Sequence, residues 1–294
     1  MSFRTVVITK RCKLDTKMNY LEIRQADERK RIFLDEIDVL LIENPAISIT
    51  GCLLSELINR KIKVIFCDAK HNPQSELIAY RGGHDSTRKI RKQIAWAEET
   101  KGLVWTSILK EKIVNQARLL KFLGKNKAAQ MLLGYADELE YRDTTNREGH
   151  AARVYFNALF GMDFTRDDDS PDNAALNYGY TILLSMINRE IVSMGYITQI
   201  GLFHDNVFNP FNLSSDLMEP FRILIDQFVY EKAFPRFDTN EKHEMLSLFQ
   251  KELKIGGVKY IFGDALHRYV ASVFNALEHE DVSLLMFFEE WNEL

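Results

Sequence analysis

The stretch Arg81-Gly-Gly-His-Asp-Ser86 separates two parts of the chain whose apolar residues follow different periodicities. It interrupts regular structure, as does His71-Asn-Pro-Gln-Ser75 a few residues earlier. Upstream of it, short runs of β-branched and other apolar residues predict β-strands. Downstream of it, apolar residues recur at helical spacing over long stretches. Strands followed by a run of helices predict an α+β fold built as two domains.

The N-terminal part is predicted to be a small β-rich domain. Its strands are expected at 5–9, 20–24, 37–42 and 63–67. One helix is expected at 51–60, where four apolar side chains form a single face. We place this domain at 1–72 and a linker, which contains the two breaker-rich stretches, at 73–90.

The C-terminal part, 91–294, is predicted to be a larger all-α domain. A helix is expected from Trp96 to Leu123, where Gly124-Lys-Asn-Lys127 interrupts the pattern. Further helices are expected at 127–141, 146–160, 172–194, 216–232, 240–253, 263–277 and 282–290. The sequence contains no internal repeat that would indicate a solenoid or propeller.

Composition indicates a globular protein without a membrane segment. Of the 294 residues, 46% are hydrophobic and 27% are charged, which is ordinary for such proteins. No apolar run reaches the ~18 residues that a membrane helix needs, and the N-terminus lacks the apolar core of a signal peptide. Cys12, Cys52 and Cys67 are odd in number and lack zinc-like spacing. Reduced thiols in a cytoplasmic protein are the expectation.

The net charge of −4 conceals a strong asymmetry along the chain. Residues 81–127 contain twelve Lys or Arg and four Asp or Glu, a net charge of +8. Residues 278–294 contain six acids and no Lys or Arg. A basic segment in an acidic chain fits a surface that binds a polyanion. A solvated helix face explains the pattern equally well, so the charge leaves both interpretations open.

Glu148, His204 and Glu219 are candidate ligands of a divalent metal ion. Two carboxylates and one imidazole suit Mg²⁺ or Mn²⁺, ions that assist phosphodiester chemistry. Asp216 lies three residues before Glu219, on the same face of a predicted helix, and is a candidate for a direct or a supporting role. If the three ligands converge, the chain is a metal-dependent nuclease or strand-transferase.

Each of these residues also has an ordinary structural explanation. Thr145 and Glu148 have the spacing of a helix capping box, and Asp216 and Glu219 have it too. His204 stands where an apolar segment meets a polar loop, and a lone histidine there is more often a hydrogen-bonded structural residue than a ligand. The residues taken singly therefore leave capping and metal binding as open alternatives.

The other sequence motifs give less information about function. The run 166–173 holds three adjacent Asp residues that could bind a cation, but Ser170-Pro171-Asp172 favours a solvated loop followed by a helix start. The sequence contains neither G-x-x-x-x-G-K-[ST] nor G-x-G-x-x-G, so nucleotide-cradling loops are not supported. It also lacks the G-x-S-x-G nucleophile elbow.

Four stretches resemble a known family in their residues and in their order along the chain. They are Arg147-Glu-Gly-His-Ala-Ala-Arg-Val-Tyr-Phe156, Asp172-Asn-Ala-Ala-Leu-Asn-Tyr-Gly-Tyr180, Gly201-Leu-Phe-His204 and Asp216-Leu-Met-Glu-Pro-Phe-Arg222. Behind a β-rich domain, this order resembles the metal-dependent integrase subunit of CRISPR adaptation, the universal first protein of spacer acquisition. The last two stretches look most like the type II systems. The loop 207–212 departs from the Gly-Arg-containing loop of many relatives.

The resemblance implies a β-sandwich-like N-terminal domain that mediates dimerisation and an all-helical catalytic domain. It implies that Glu148, His204 and Glu219 bind the metal, with Asp216 as an auxiliary acid one helical turn before the last ligand. Arg222 is a candidate phosphate contact, although it could equally pair with Asp226 at i+4. The implied partners are double-stranded DNA, a second copy of the chain, and a second small adaptation protein.

The implied activity is insertion of short foreign DNA fragments into a CRISPR array. A 3′-hydroxyl attacks a phosphodiester at the repeat border, and Mg²⁺ or Mn²⁺ polarises the phosphate. Water in place of the hydroxyl gives endonuclease activity. Two alternatives stay open: a non-catalytic DNA-binding scaffold in which both glutamates cap helices, and a plain structure-specific nuclease.

Overall fold

The computed structural model describes residues 4–26, 28–80 and 85–289, and its N-terminal part forms two four-stranded sheets. The elements there are β1 Arg4–Ile8, β2 Lys13–Lys17, β3 Tyr20–Arg24, β4 Arg29–Phe33, β5 Ile37–Ile42, β6 Ser48–Ile49, α1 Gly51–Asn59, β7 Lys63–Cys67 and β8 Pro73–Leu77. The first sheet has the order β1-β5-β7-β8, in which β8 alone is antiparallel to its neighbour. The second has the order β4-β3-β2-β6. The predicted strands are confirmed, that at 5–9 with a shift of one residue.

The first sheet is buried on both faces. Successive side chains of a strand point to opposite faces, and β5 and β7 are apolar at nearly every position. Leu40, Ile42 and Val64 pack with the second sheet and α1. Val39 and Ile65 instead belong to the core of the helical part. One sheet therefore serves two cores, which explains why its strands read as continuous rather than alternating apolar runs.

The rest of the chain is mostly helical. Its elements are α2 Ser86–Ile94, α3 Glu98–Phe122, α4 Asn126–Asp137, α5 Arg147–Phe160, α6 Pro171–Ser193, α7 Asn212–Met218, α8 Arg222–Lys232, α9 Thr239–Leu248, β9 Glu252–Ile255, β10 Val258–Ile261 and α10 Phe262–His279. Short 3₁₀ turns lie at Leu34–Glu36, Tyr141–Asp143, Glu219–Phe221 and Val282–Leu284. The predicted α+β class, with a β-rich region ahead of a larger helical one, is confirmed.

α6 is the central helix of this part. Ser170 accepts a hydrogen bond from the Asn173 amide and Pro171 occupies the first turn, as the sequence predicted for this start. Fourteen of its 23 residues are buried, and the more exposed positions 174, 177, 181 and 184 form one stripe. No helix in the described part of the chain is both long and apolar enough to cross a membrane.

The structure departs from the predicted elements in the linker and near the C-terminal end of the chain. The proposed linker 73–90 contains β8 and the beginning of α2, while the division into domains stays a prediction. The predicted helix 240–253 ends at Leu248, because Gly256 and Gly257 have positive φ and turn β9 into β10. The predicted helix 282–290 is wrong: a 3₁₀ turn is followed by a bridge from Phe288 to Ile255.

Candidate active site

Three elements bring two carboxylates to one ammonium. Glu148 lies in the first turn of α5, Glu219 opens the 3₁₀ turn between α7 and α8, and Lys112 lies within α3. The Lys112 Nζ is 2.6 Å from Glu148 Oε1 and 2.6 Å from Glu219 Oε2. The two oxygens therefore lie no farther apart than twice that distance. The structure brings together two of the three predicted ligands and places a cation between them.

The charges in this group stabilise one another against burial. Burial raises the pKa of Glu219, but the attraction of Arg222 and Lys112 outweighs it and lowers the pKa to about 2. Burial lowers the pKa of Lys112, but Glu219 and Glu148 reverse that effect and leave it above its usual value. Both side chains are therefore charged at neutral pH. Glu219 Oε2 is buried and has no hydrogen-bond partner among the described residues, so the Lys112 ion pair compensates it.

His204 is fixed in place by Asp216. The Asp216 carboxylate, which is fully buried, lies 2.6 Å from His204 Nδ1 and accepts hydrogen bonds from the backbone amides of Leu202, Phe203 and His204. The hydrogen bond to Asp216 raises the pKa of His204 above its usual value, against burial, and Glu219 adds to the effect. A carboxylate on Nδ1 orients a histidine so that Nε2 can bind a ligand. Asp216 therefore acts on His204 and meets the description of a supporting acid.

Gly201 makes this arrangement sterically possible. A Cβ at that position would lie 2.4 Å from the His204 carbonyl oxygen and 2.7 Å from Asp216 Oδ2. Both distances are shorter than any ordinary contact of a Cβ atom. The glycine of the Gly-Leu-Phe-His stretch therefore lets the backbone pass close to the carboxylate that holds the histidine.

Capping does not explain either glutamate. α5 begins after Asn146, and the Asp143 carboxylate accepts hydrogen bonds from the amides of Arg147 and Glu148 at 2.6 and 2.9 Å. The carboxylate of Glu148 is thus left to meet Lys112. The predicted helix start at 216 is wrong, because α7 begins at Asn212 and Glu219 follows its end. The capping-box interpretation of both pairs is therefore excluded.

Arg222 contacts Glu219 rather than Asp226. Its Nε lies 3.0 Å from Glu219 Oε1, and its guanidinium lies over the Tyr180 ring at 4.6 Å from the centroid. Asp226 instead accepts hydrogen bonds from the hydroxyls of Tyr155, at 2.9 Å, and Tyr180. Burial raises the pKa of Asp226 to about 6, against the effect of both tyrosines. The alternative that Arg222 pairs with Asp226 is therefore not supported. The contact of Arg222 with a phosphate stays a prediction.

A metal ion bound by all three predicted ligands requires a rearrangement of these side chains. Within 4–26, 28–80 and 85–289, no three His, Cys, Asp or Glu side chains are close enough to share an ion as they stand. The donor types nonetheless suit a hard divalent cation: two carboxylates already joined by one cation, and an imidazole presented by an acid. The residues present therefore fit the group, and the assignment of the three ligands stays a prediction.

A cavity lined by charged side chains lies beside the histidine. A cavity of about 410 Å³ is lined by the segment 199–205 together with Lys101, Arg142 and Glu98. Lys101 Nζ and an Arg142 amino group lie 2.7 and 2.9 Å from the two oxygens of Glu98. Asp205 also lines the cavity, so its two cations and two acids balance in formal charge.

The basic segment 81–127 covers α2 and α3, and its Arg81 lies outside the described residues. Several of its side chains pair with acids, among them Lys92 with Glu278 and Arg118 with Glu111. These pairs favour the solvated helix face for part of the segment. DNA binding by the remainder stays a prediction.

Lys112 and Asp143 were missed by the sequence analysis. Lys112 was counted as one charge of the basic segment, although it lies at i+4 from Ile108, which is fully buried. A lysine on the apolar stripe of a helix usually has a buried acidic partner, and that spacing was the available signal. Asp143 gave no signal, because the chain between it and α5 adopts left-handed conformations at positions 143 and 146 that no helix template includes.

Comparison with known proteins places this arrangement in a family. A family model described as CRISPR associated protein Cas1 matches residues 5–244. The chain is 37% identical over 226 residues to the CRISPR-associated endonuclease Cas1 of Neisseria meningitidis serogroup C (strain 8013), covering 77% of this chain and 74% of that protein.

Two solved structures share the fold. A casposase bound to an integration product superposes with a TM-score of 0.77 at 17% identity, over 96% of this chain and 93% of that one. A chain of a Cas6-RT-Cas1–Cas2 complex superposes with a TM-score of 0.75 at 19% identity, over 99% of this chain and 36% of that longer one. With the match of the family model over most of its length, the chain belongs to the CRISPR associated protein Cas1 family.

Proposed function

We propose that this chain is a divalent-metal-dependent DNA strand-transferase and endonuclease of CRISPR adaptation. It joins the 3′-hydroxyl of a short DNA fragment to a phosphodiester of the CRISPR array by transesterification. The observation that supports this proposal best is the pair of carboxylates, Glu148 and Glu219, that share one buried cation near a histidine oriented by a buried acid. The name of the Neisseria relative and the casposase neighbour support the same class of reaction.

Glu148, His204 and Glu219 would hold Mg²⁺ or Mn²⁺. When bound, such an ion supplies Lewis acidity that polarises a phosphate oxygen and lowers the pKa of an attacking hydroxyl. Asp216 keeps Nδ1 of His204 engaged, so that Nε2 faces the site. Arg222 holds the second oxygen of Glu219 and fixes the direction of its carboxylate.

The residues around the site suit a polyanionic substrate. Lys101 and Arg142 lie on the wall next to His204, where their charge attracts the phosphates that flank the reacting one. The segment 207–208 exposes Val207 and Phe208 almost completely, on a loop braced by Asn206 and Asn212. We expect the substrate to reach the site across this loop and past Lys101 and Arg142.

The partners of the reaction follow from the same proposal. Double-stranded DNA serves as both the inserted fragment and the target. Both ends of a fragment must be joined, so two active sites are needed and the chain acts as a homodimer. The neighbouring complex contains a Cas2 protein, and a second small adaptation protein of that kind is the expected bridge between dimers.

Replacement of His204 tests the proposal directly. His204→Ala should abolish Mn²⁺-dependent joining of a fragment with a free 3′-hydroxyl to a plasmid that carries a repeat, while the melting temperature stays close to that of the wild type. His267→Ala is the matched control, because His267 also bonds a buried acid, Glu190, through Nδ1. Retained joining by His204→Ala would contradict the assignment.

The products of the same assay separate the competing activities. A strand-transferase gives branched DNA in which the fragment is covalently joined to the plasmid, and this product disappears when the fragment ends in a 3′-deoxy nucleotide. A plain nuclease gives cleaved plasmid whether or not a 3′-hydroxyl is present. A non-catalytic scaffold gives neither product. Because Asp143 and not Glu148 caps α5, capping does not account for Glu148 in such a scaffold.

A further inference from the structure

We propose that Lys112 is an internal competitor of the divalent ion, and that its displacement couples metal binding to DNA binding. The inference rests on the proposed function of Glu148 and Glu219 as metal ligands. It adds a positioning residue and a means of control that neither the carboxylates nor the histidine supply.

The position of the Lys112 ammonium carries the argument. Its Nζ lies 2.6 Å from one oxygen of each glutamate. Mg²⁺ and its relatives bind carboxylate oxygens at ~2.0–2.1 Å. An ion that engages these two oxygens would occupy the space of the ammonium and repel its charge. Lys112 and a metal ion therefore exclude one another between Glu148 and Glu219.

Leaving the carboxylates is unfavourable for Lys112 without another anion. Its side chain is only 12% exposed, and it lies on a helix beside the buried Ile108 and Ile113. Removing the partners of a buried charge is strongly destabilising. The ion must offset this cost when it binds alone, so metal binding without DNA is weak.

A phosphate of DNA removes the obstacle. A phosphodiester that approaches the carboxylates offers the displaced ammonium a new anionic partner while the ion takes its place. Each ligand then strengthens the binding of the other, and the factor is the same in both directions. A site with this coupling stays closed to metal until nucleic acid arrives, which limits cleavage in the absence of the proper substrate.

Lys112→Met tests this inference, since methionine is similar in length and carries no charge. The dissociation constant of Mn²⁺ is measured by titration calorimetry without DNA, and the affinity for a labelled duplex is measured by fluorescence anisotropy with Mn²⁺ and with a chelator. The variant should bind Mn²⁺ at least about tenfold more tightly than the wild type without DNA. Mn²⁺ should strengthen DNA binding about tenfold in the wild type and little in the variant.

Lys101→Met is the matched control. Lys101 lies on the same helix, is 14% exposed and pairs with Glu98, so its loss removes one positive charge without touching the carboxylates. A similar gain in Mn²⁺ affinity in both variants would indicate a general electrostatic effect and overturn the inference. Unchanged or weaker Mn²⁺ binding by Lys112→Met would overturn it too.

Two further measurements keep the test decisive. Should Lys112→Met unfold without metal, Lys112→Arg keeps the cation and should retain the weak binding of the wild type; tighter binding by this variant would contradict the proposal. Failure of both the wild type and Lys112→Met to bind Mn²⁺ would overturn the metal site itself. Equal binding by the two would overturn the role of Lys112 and leave the proposed function standing.

Discussion

Two buried lysine–glutamate groups, one at the junction of sheet and helices and one at the candidate site, differ in how their oxygens are satisfied. At the junction, Lys63 pairs with Glu76, whose carboxylate also accepts hydrogen bonds from Ser185 and Asn188 of α6. Both oxygens of Glu76 have partners. At the site, two carboxylates share Lys112, and Glu219 Oε2 has no hydrogen bond among the described residues.

The lysine pKa values reflect this difference. Burial lowers the pKa of Lys63 to about 8, because Glu76 and Glu190 oppose it only in part and Arg189 adds to it. For Lys112 two acids more than offset burial, and the pKa lies above its usual value. At the junction, both oxygens of Glu76 accept hydrogen bonds from neutral side chains of α6. At the site, one ammonium is shared by two carboxylates, and Arg222 pairs with the other oxygen of Glu219.

The largest expected effect is a loss of strand-transfer activity when the candidate site, but not the Lys63–Glu76 pair, is altered. Glu219→Gln should reduce Mn²⁺-dependent strand transfer by about a thousandfold, because a neutral amide is a poor ligand for a hard cation. Glu76→Gln should leave the activity of the folded fraction unchanged. Joining assays on both variants, normalised to folded protein by circular dichroism, make the comparison. Equal losses of strand-transfer activity in the two variants would contradict a specific role of Glu219 in the reaction.

The next effect concerns stability at the junction. Lys63→Ala should reduce the free energy of unfolding by about 3–5 kcal/mol, because Glu76 stays buried without its cation. Urea denaturation followed by circular dichroism measures the change. The exposed Lys127 supplies the control, and Lys127→Ala should change stability by less than about 0.5 kcal/mol. A loss below about 1 kcal/mol for Lys63→Ala would contradict the importance of this pair.

A third buried acid sharpens the comparison, since neutral hydroxyls are its hydrogen-bond donors. The pKa of Asp226 is raised to about 6, above that of an unfolded aspartate. Its protonated form therefore stabilises the fold, and this stabilisation is complete below about pH 4 and is lost as the pH rises through about 6. Asp226→Asn should gain about 3 kcal/mol relative to the wild type between pH 4 and pH 7. The free energy of unfolding of both proteins is measured across that range. A difference between them that stayed constant with pH would contradict the raised pKa of Asp226.

The smallest effect concerns the cap that frees Glu148. Asp143→Ala should reduce stability by about 1 kcal/mol, because the amides of Arg147 and Glu148 lose their acceptor. Asp143→Asn retains an acceptor oxygen and should lose less. Thermal melting of both variants gives the measurement, and equal melting temperatures for Asp143→Ala and the wild type would contradict the cap.

The sequence predicted the elements whose signal is local. The strands at 37–42 and 63–67 are confirmed because β-branched and other apolar residues fill both faces of a doubly buried sheet. The start of α6 is confirmed because Ser170 and Pro171 act within one turn. By contrast, β4 has three charged residues in five, and β2 also has three. Their pairing with β3 supplies the stability that their own residues do not indicate.

The candidate site depended on contacts between segments far apart in the chain. Residue spacing suggested capping for Glu148 and Glu219, and the structure excludes it because Asp143 and Asn212 set the two helix starts. The role of Lys112 needs α3, α5 and the turn at 219–221 to meet, which no periodicity reports. The residues of the four family stretches pointed to Glu148 and Glu219 as candidate ligands. They gave no indication that Lys112 would lie between them.

The sheet that is buried on both faces restricts which N-terminal and C-terminal halves could be combined in a hybrid protein. Val39 and Leu40 are neighbours in β5, yet they belong to different cores. A foreign N-terminal half would have to match α6 on one face and its own second sheet on the other. Hybrids joined between β8 and α2 should therefore fold well only when the partner half keeps the surface of α6.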